Sequence, residues 1–218
     1  MKNFEIKYKP ISDNYQSVGF GTDQEPQSSM LLTTFSKAMK SHYREGIKIL
    51  DYGCGSGRYC NFLSKRINDF EYFGLEKPNS YELWGEKAIK TALSHFAHDE
   101  RVNFGFIDTP LEEKAIQNCN VVLLLSVFTH TSIEETYRII EKLLPLVLKG
   151  GKIIFSMIIN DSYKKEGNLY GHEDSFGVTY NTTDQIKEIE NKFKVKVTLE
   201  DTFLANGGYT HSIYSIQQ

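Results

Sequence analysis

The chain is poor in cysteine, in long apolar runs and in charge of one sign. Its three cysteines, Cys54, Cys60 and Cys119, are odd in number, and their spacing matches neither a zinc site nor a disulfide framework. That excludes a small stapled fold and suits a reducing compartment. The most apolar run, VVLLLSVF at 121–128, is far too short to span a bilayer. The opening residues, MKNFEIKYKP, lack the apolar core of a signal peptide. A cytoplasmic protein without a membrane partner is the expectation, and the N-x-[ST] sequons at Asn160 and Asn181 are read as chance matches. The net charge is −3, so there is no positive excess to hold a polyphosphate backbone, and nucleic acid is disfavoured as a partner. Internal repeats and low-complexity tracts are lacking too.

What is present suffices for one domain. A chain of 218 residues with 40% apolar and 24% charged residues can bury its own core. From about residue 46, strand-like and helix-like segments alternate. KILDYG (48–53), EYFGLE (71–76), VNFGFID (102–108), VVLLLSV (121–127) and KIIFSMI (152–158) read as strands. The uniformly apolar fourth run suits a central strand covered on both faces. Helical spacing marks 58–67, 80–97 and a short stretch at 111–117. Ser132 with Glu135, and Thr182 with Gln185, are capping boxes that open two more helices. In the first of these Pro145 predicts a kink and Gly150-Gly151 an end. The second runs to about Phe193. Residues 160–181 read as a long polar loop, and 194–203 with 210–218 as a closing antiparallel pair. The prediction is an α/β fold: a doubly wound, mostly parallel, seven-stranded sheet with one antiparallel strand. Residues 1–46 read as an N-terminal arm with a helix from Met30 to Tyr43, part of the same domain as 47–218. Tyr15 and Phe20 in the arm are candidates for stacking over a ligand.

In such a sheet, ligands bind beyond the carboxyl ends of the strands. The first strand ends at Asp51, and Gly53, Gly55 and Gly57 follow within six residues. Glycines there let a ligand approach bare backbone, with the free N–H groups of the next helix at hand. The loop is not the G-x-G-x-x-G of dinucleotide folds, because the sixth position from Gly53 is Arg58. It is not a P-loop either, since Gly57 leads into Arg-Tyr.

What remains, D-x-G-x-G-x-G, resembles the first motif of the class I S-adenosylmethionine-dependent methyltransferases. Glu76 ends the second strand, Asp108 the third and LSVFTH (125–130) the fourth, and LKGGKIIFSMI (148–158) is similar to a further segment of that family, with Lys149 where proline is common. The resemblance covers 47 to about 158 and implies a Rossmann-like methyltransferase fold for 47–218. It implies S-adenosyl-L-methionine as cofactor and S-adenosyl-L-homocysteine as product. It implies a cofactor site of Asp51, Gly53, Cys54, Gly55, Gly57, Glu76, Asp108 and Ser126, with Glu76 on the ribose hydroxyls and Asp108 near the adenine amine. Asp51 supports the loop and lies near the positive methionine end. Cys54 reads as a small packing residue in the loop rather than a nucleophile.

His130 follows the fourth strand, where this family places substrate-facing residues, and an imidazole there can take a hydroxyl proton; it is the catalytic candidate. The alternative is a histidine that caps the Ser132 helix or bonds to backbone. His172 and His211 lie near the same region. His95 and His98 form HFAH without a third ligand, so no metal is expected. SVFT stands where amino-methylating enzymes of bases carry D/N-P-P-Y/F. No Pro-Cys dipeptide exists, and no acid follows the fourth strand. Base methylation and magnesium-dependent catechol-type chemistry are therefore not expected. The expected function is O-methylation of a small molecule, a sugar or metabolite hydroxyl. The alternatives are an aminopropyltransferase-like enzyme and a non-catalytic methyltransferase-like binding subunit.

Overall fold

The apolar run before Asp51 is the middle of the sheet. A computed structural model describes residues 34–39, 45–78, 84–115, 117–162, 179–204 and 210–218. Strand β1 (Ile47–Tyr52) pairs in parallel with β2 (Phe70–Glu76), and β2 with β3 (Val102–Phe106). On its other side β1 pairs in parallel with β4 (Cys119–Leu124), and β4 with β5 (Val147–Ile159). A two-residue strand, β6 (Tyr180–Asn181), lies parallel to the end of β5. β7 (Val197–Leu204) and β8 (Thr210–Gln217) close the sheet, with β8 antiparallel to both β5 and β7. The order is β3-β2-β1-β4-β5-β8-β7, the mostly parallel sheet with one reversed strand that the alternation predicts. β6 is an addition to it: the polar loop read across 160–181 ends two residues early.

Among the described residues five α-helices flank the sheet: α1 (Arg58–Ser64), α2 (Trp84–His95), α3 (Pro110–Ala115), α4 (Ile133–Leu143) and α5 (Thr183–Phe193). Ser132 caps α4 by accepting the Glu135 N–H at 3.2 Å, while the Glu135 carboxylate pairs with Arg138. Thr182 and Gln185 form the full reciprocal box of α5. A π-helical segment, Thr34–Met39, falls within the helix predicted for 30–43. Residues 1–33 and 40–44 of the arm, with Tyr15 and Phe20, and the part of the polar loop that carries His172 lie outside the described residues.

Pro145 ends α4 rather than kinking it. The helix stops at Leu143, a 3-10 turn holds Leu144–Leu146, and the chain enters β5 at Val147, before the predicted glycine stop. Gly150, at φ 81°, and Gly151 sit instead where the β4/β5 register shifts. A Cβ on Gly151 would stand 2.6 Å from the Asn120 carbonyl oxygen.

Strand alternation divides the core in two. Ile49, Tyr72, Phe104, Val121, Ile154 and Ile213 face α1, α2 and the π-helical segment. Leu50, Phe73, Val122, Phe155 and Ile216 face α3, α4 and α5. Each such buried side chain contributes about 1.5–3 kcal/mol. The same alternation carries Asp51 and Glu76 to the first face at the carboxyl ends of β1 and β2. Among the described residues no helix is long and apolar enough to cross a membrane.

Candidate functional site

The loop from β1 to α1 is built on left-handed backbone. Gly53, Gly55 and Gly57 have φ of 86°, 54° and 81°, a conformation that costs other residues about 1–2 kcal/mol each. Close packing adds to the demand. A Cβ on Gly53 would lie 2.5 Å from Val127 Cγ2, and one on Gly57 2.8 Å from Phe104 Cζ. The loop amides are not bare. Gly53 and Cys54 both donate to the Leu75 carbonyl, at 2.7 and 3.1 Å, and Gly57 donates to that of Cys54 at 3.1 Å. Gly55 donates to Glu76 Oε2 at 2.8 Å. These four donors already have acceptors inside the protein, which leaves them unable to clamp a phosphate.

Two acids underlie the loop. Glu76 is buried, and its Oε1 accepts the Lys77 N–H at 2.9 Å. Burial lifts its carboxyl above the usual range, and the bonds from Lys77 and Gly55 pull it back. With one N–H on each oxygen, the carboxylate keeps an acceptor site per oxygen, which fits two neighbouring hydroxyls. Asp51 is buried as well, and the Tyr72 hydroxyl donates to its Oδ2. Burial pushes Asp51 up to about 7; the Tyr72 bond lowers it and the Glu76 charge raises it. Cys54, between these acids, has its thiol held far above its ordinary range, first by burial and then by the Asp51 and Glu76 charges. A thiol held protonated in this way is disfavoured as a nucleophile.

Asp108, past the end of β3, has φ 62°, and its side chain is 87% exposed. Its N–H donates to Glu112 Oε2 at 2.6 Å, and Lys142 reaches both acids, Glu112 at 2.6 Å and Asp108 at 3.4 Å. Lys142 also stands 5.9 Å from the Tyr52 ring centroid. Past β4, Ser126 has φ 60°, and its N–H donates to Ser156 Oγ at 2.7 Å. The His130 N–H donates to the Val127 carbonyl at 2.9 Å, and the His130 side chain is exposed. His211 pairs with Ile158 across the end of β5, lies with its ring centroid 5.3 Å from that of Phe203 at a 34° tilt, and is lowered in pKa first by burial and then by the His130 charge. Asp51 and Glu76 thus stand together, and His130 and His211 form a second pair. His95 and His98 lie at the far end of α2, with neither. Among the described residues no group of three or more His, Cys, Asp or Glu could hold a metal ion.

Reading the sequence missed Tyr72, Glu112 and Lys142. The alternation of FEYFGLE does set Tyr72 on the face of Glu76, a signal that the β1/β2 register makes usable. Lys142 gave none, because its partners lie some 30 residues away.

No family model matches the chain, and no curated protein does. Solved structures do. A magnesium protoporphyrin IX methyltransferase from Synechocystis PCC 6803, crystallised with bound SAH, superposes with a TM-score of 0.56 at 18% identity over 80% of this chain and 75% of its own. An O-methyltransferase family protein from Burkholderia thailandensis gives 0.60 at 15% identity, over 87% and 55%. A protein described as a pericyclic reaction enzyme gives 0.56 at 12% identity, over 86% and 47%. The chain spans about half the length of the latter two. The chain has the fold of the class I S-adenosylmethionine-dependent methyltransferases.

Proposed function

We propose that the chain is an S-adenosylmethionine-dependent methyltransferase that acts on a small-molecule hydroxyl, on a sugar or another metabolite. The observation that carries this reading is Glu76: a buried carboxylate at the carboxyl end of β2, with an acceptor site left on each oxygen, beside a loop whose four bonded amides are already satisfied. A nucleoside with two ribose hydroxyls and no phosphate suits that arrangement, and a pyrophosphate does not. Fold alone does not settle chemistry, since the same architecture carries many reactions.

In this reading Glu76 accepts the ribose hydroxyls and Asp51 faces the positive methionine end. Gly53, Cys54, Gly55 and Gly57 shape the floor, and Asp108 and Ser126 border the base. The cofactor supplies a methyl group already activated on a sulfonium, so the protein's task is to align the acceptor and exclude water. His130 receives the acceptor's hydroxyl proton. S-adenosylhomocysteine leaves as product.

Thermal shift tests the reading. S-adenosylmethionine and S-adenosylhomocysteine raise the melting temperature and NAD does not. Stabilisation by NAD, or by none of the three, overturns it. An aminopropyltransferase-like enzyme would call for paired acids along a polyamine groove at the end of β4, and LSVFTH supplies none. A binding subunit without catalysis would give the shift without turnover.

A further inference from the structure

Asp51 lies opposite Gly74 in the β1/β2 register, so Tyr72, two residues earlier on the same face, comes up beneath it. Tyr72 is fully buried, and its hydroxyl donates to Asp51 Oδ2. The titratable groups that act with Asp51 are Tyr72 and Glu76 from β2, Cys54 from the loop, and Tyr59 and Cys60 from α1. On the β4 side its register partner is Leu123. The Tyr59 hydroxyl is directed to Met39 Sδ at 3.7 Å. None of these groups is a cation. Among the described residues the buried Asp51 carboxylate therefore has no counter-ion, which is costly, and a bound cation would supply the missing charge. The Tyr72 ring would pack as well without its oxygen, as Phe70 and Phe104 do on the same face.

We propose that Tyr72 is a positioning residue for a cationic ligand: its hydroxyl holds the Asp51 carboxylate as counter-ion for a positive charge bound at the carboxyl end of β1. The identity of that cation, the sulfonium and ammonium end of S-adenosylmethionine, rests on the reading under Proposed function. The coupling has a definite sign. Burial pushes Asp51 up to about 7, so the carboxyl is partly protonated near neutrality. A cation bound beside it draws that proton off, and affinity for the cation rises with pH up to the midpoint. Removing the Tyr72 hydroxyl removes a bond that favours the charged form, so Asp51 rises further and the climb moves to higher pH.

Calorimetric titration with two probes tests this. S-adenosylmethionine carries the charge; 5′-methylthioadenosine has the same nucleoside without it, and so reports any contribution from Glu76 alone. The ratio of the two affinities is followed between about pH 5.5 and 7.5, in paired buffers of different ionisation heat that count released protons. In the parent the ratio rises with pH, and binding of S-adenosylmethionine releases protons. In Tyr72→Phe the midpoint moves up by about one pH unit and the ratio at pH 6 falls about tenfold, with 5′-methylthioadenosine unchanged. Asp51→Asn provides a second handle: with the titrating charge removed, the ratio of the two affinities is low and flat across the same pH range. A parental pH profile in Tyr72→Phe, or a flat ratio in the parent, overturns the role of Tyr72 while the methyltransferase reading stands. Failure of both probes to bind the parent overturns both.

Discussion

Glu76 accepts the Gly55 N–H at 2.8 Å across 21 residues of chain, so the acid that ends β2 fixes the middle glycine of the loop that follows β1. One carboxylate thus anchors the loop and keeps one further acceptor position on each oxygen. Glu76→Gln preserves the size but turns one oxygen into a donor, which then meets the N–H of Gly55 or of Lys77 head on. A lost charge-assisted bond is worth about 1.5–3 kcal/mol. The expected result is an affinity for S-adenosylhomocysteine at least about tenfold weaker, together with a melting temperature lower by several degrees without ligand. Calorimetry and thermal unfolding of the variant check both. Parental values in each would remove Glu76 from the ligand site.

Phe104 occupies the space that side chains at Gly57 and Gly74 would need. A Cβ on Gly74 would stand 2.4 Å from two Phe104 ring carbons and 3.0 Å from Cys54 Sγ. Gly74→Ala is expected to destabilise by about 1–3 kcal/mol through overpacking, and Phe104→Leu in the same chain should recover part of that. Gly57→Ala behaves differently. Its φ of 81° adds a backbone penalty of about 1–2 kcal/mol that no change at Phe104 can relieve. Urea unfolding of the two double-mutant cycles separates these contributions.

The loop and the acid that ends β2 were legible because both are local signals. Three glycines in five residues after an apolar run mark a left-handed strand-to-helix turn, and an acid closing EYFGLE marks a strand end. The alternation of runs likewise reads out the doubly wound sheet. The rest depends on neighbours that are distant in sequence. The loop amides reach Leu75 and Glu76, and Tyr72 reaches Asp51, only because β1 and β2 pair with Asp51 opposite Gly74. Nothing in two short apolar runs announces a parallel register. β6 escaped for another reason: two residues carry no periodicity. The Gly150-Gly151 stop misled because glycine serves a register shift as readily as a helix end, and Pro145 had already ended the helix.

Asp51 should make the unliganded protein less stable as pH rises. Its carboxyl is pushed up to about 7 in the folded chain against 3.8 for an unperturbed aspartate. The folded state therefore holds this proton more tightly than the unfolded one. The stabilising contribution is complete below the unfolded value and is lost as pH climbs through the folded one. Asp51→Asn does not titrate. Its stability relative to the parent should therefore grow between about pH 4 and 7.5, by at most on the order of 4 kcal/mol. Urea unfolding at several pH values gives the difference directly. A difference that shrinks as pH rises would mean that the folded protein supplies Asp51 with a cation.

His130 lies in the bend past β4 and His211 in β8, yet one feels the charge of the other. His211 is lowered first by burial and second by His130. In His130→Ala the smaller cause disappears and the larger stays. The His211 midpoint should therefore rise but remain below that of an exposed histidine, and an NMR titration of the ring protons checks it. The same variant bears on catalysis. If His130 takes the acceptor's proton, turnover should fall by about 10²–10⁴ with little change in S-adenosylmethionine affinity. Since the burial of His211 disfavours its charged form, His211 cannot readily stand in as the group that receives the proton. A His130→Ala variant with a shifted His211 and intact turnover would keep the pair and discard the base.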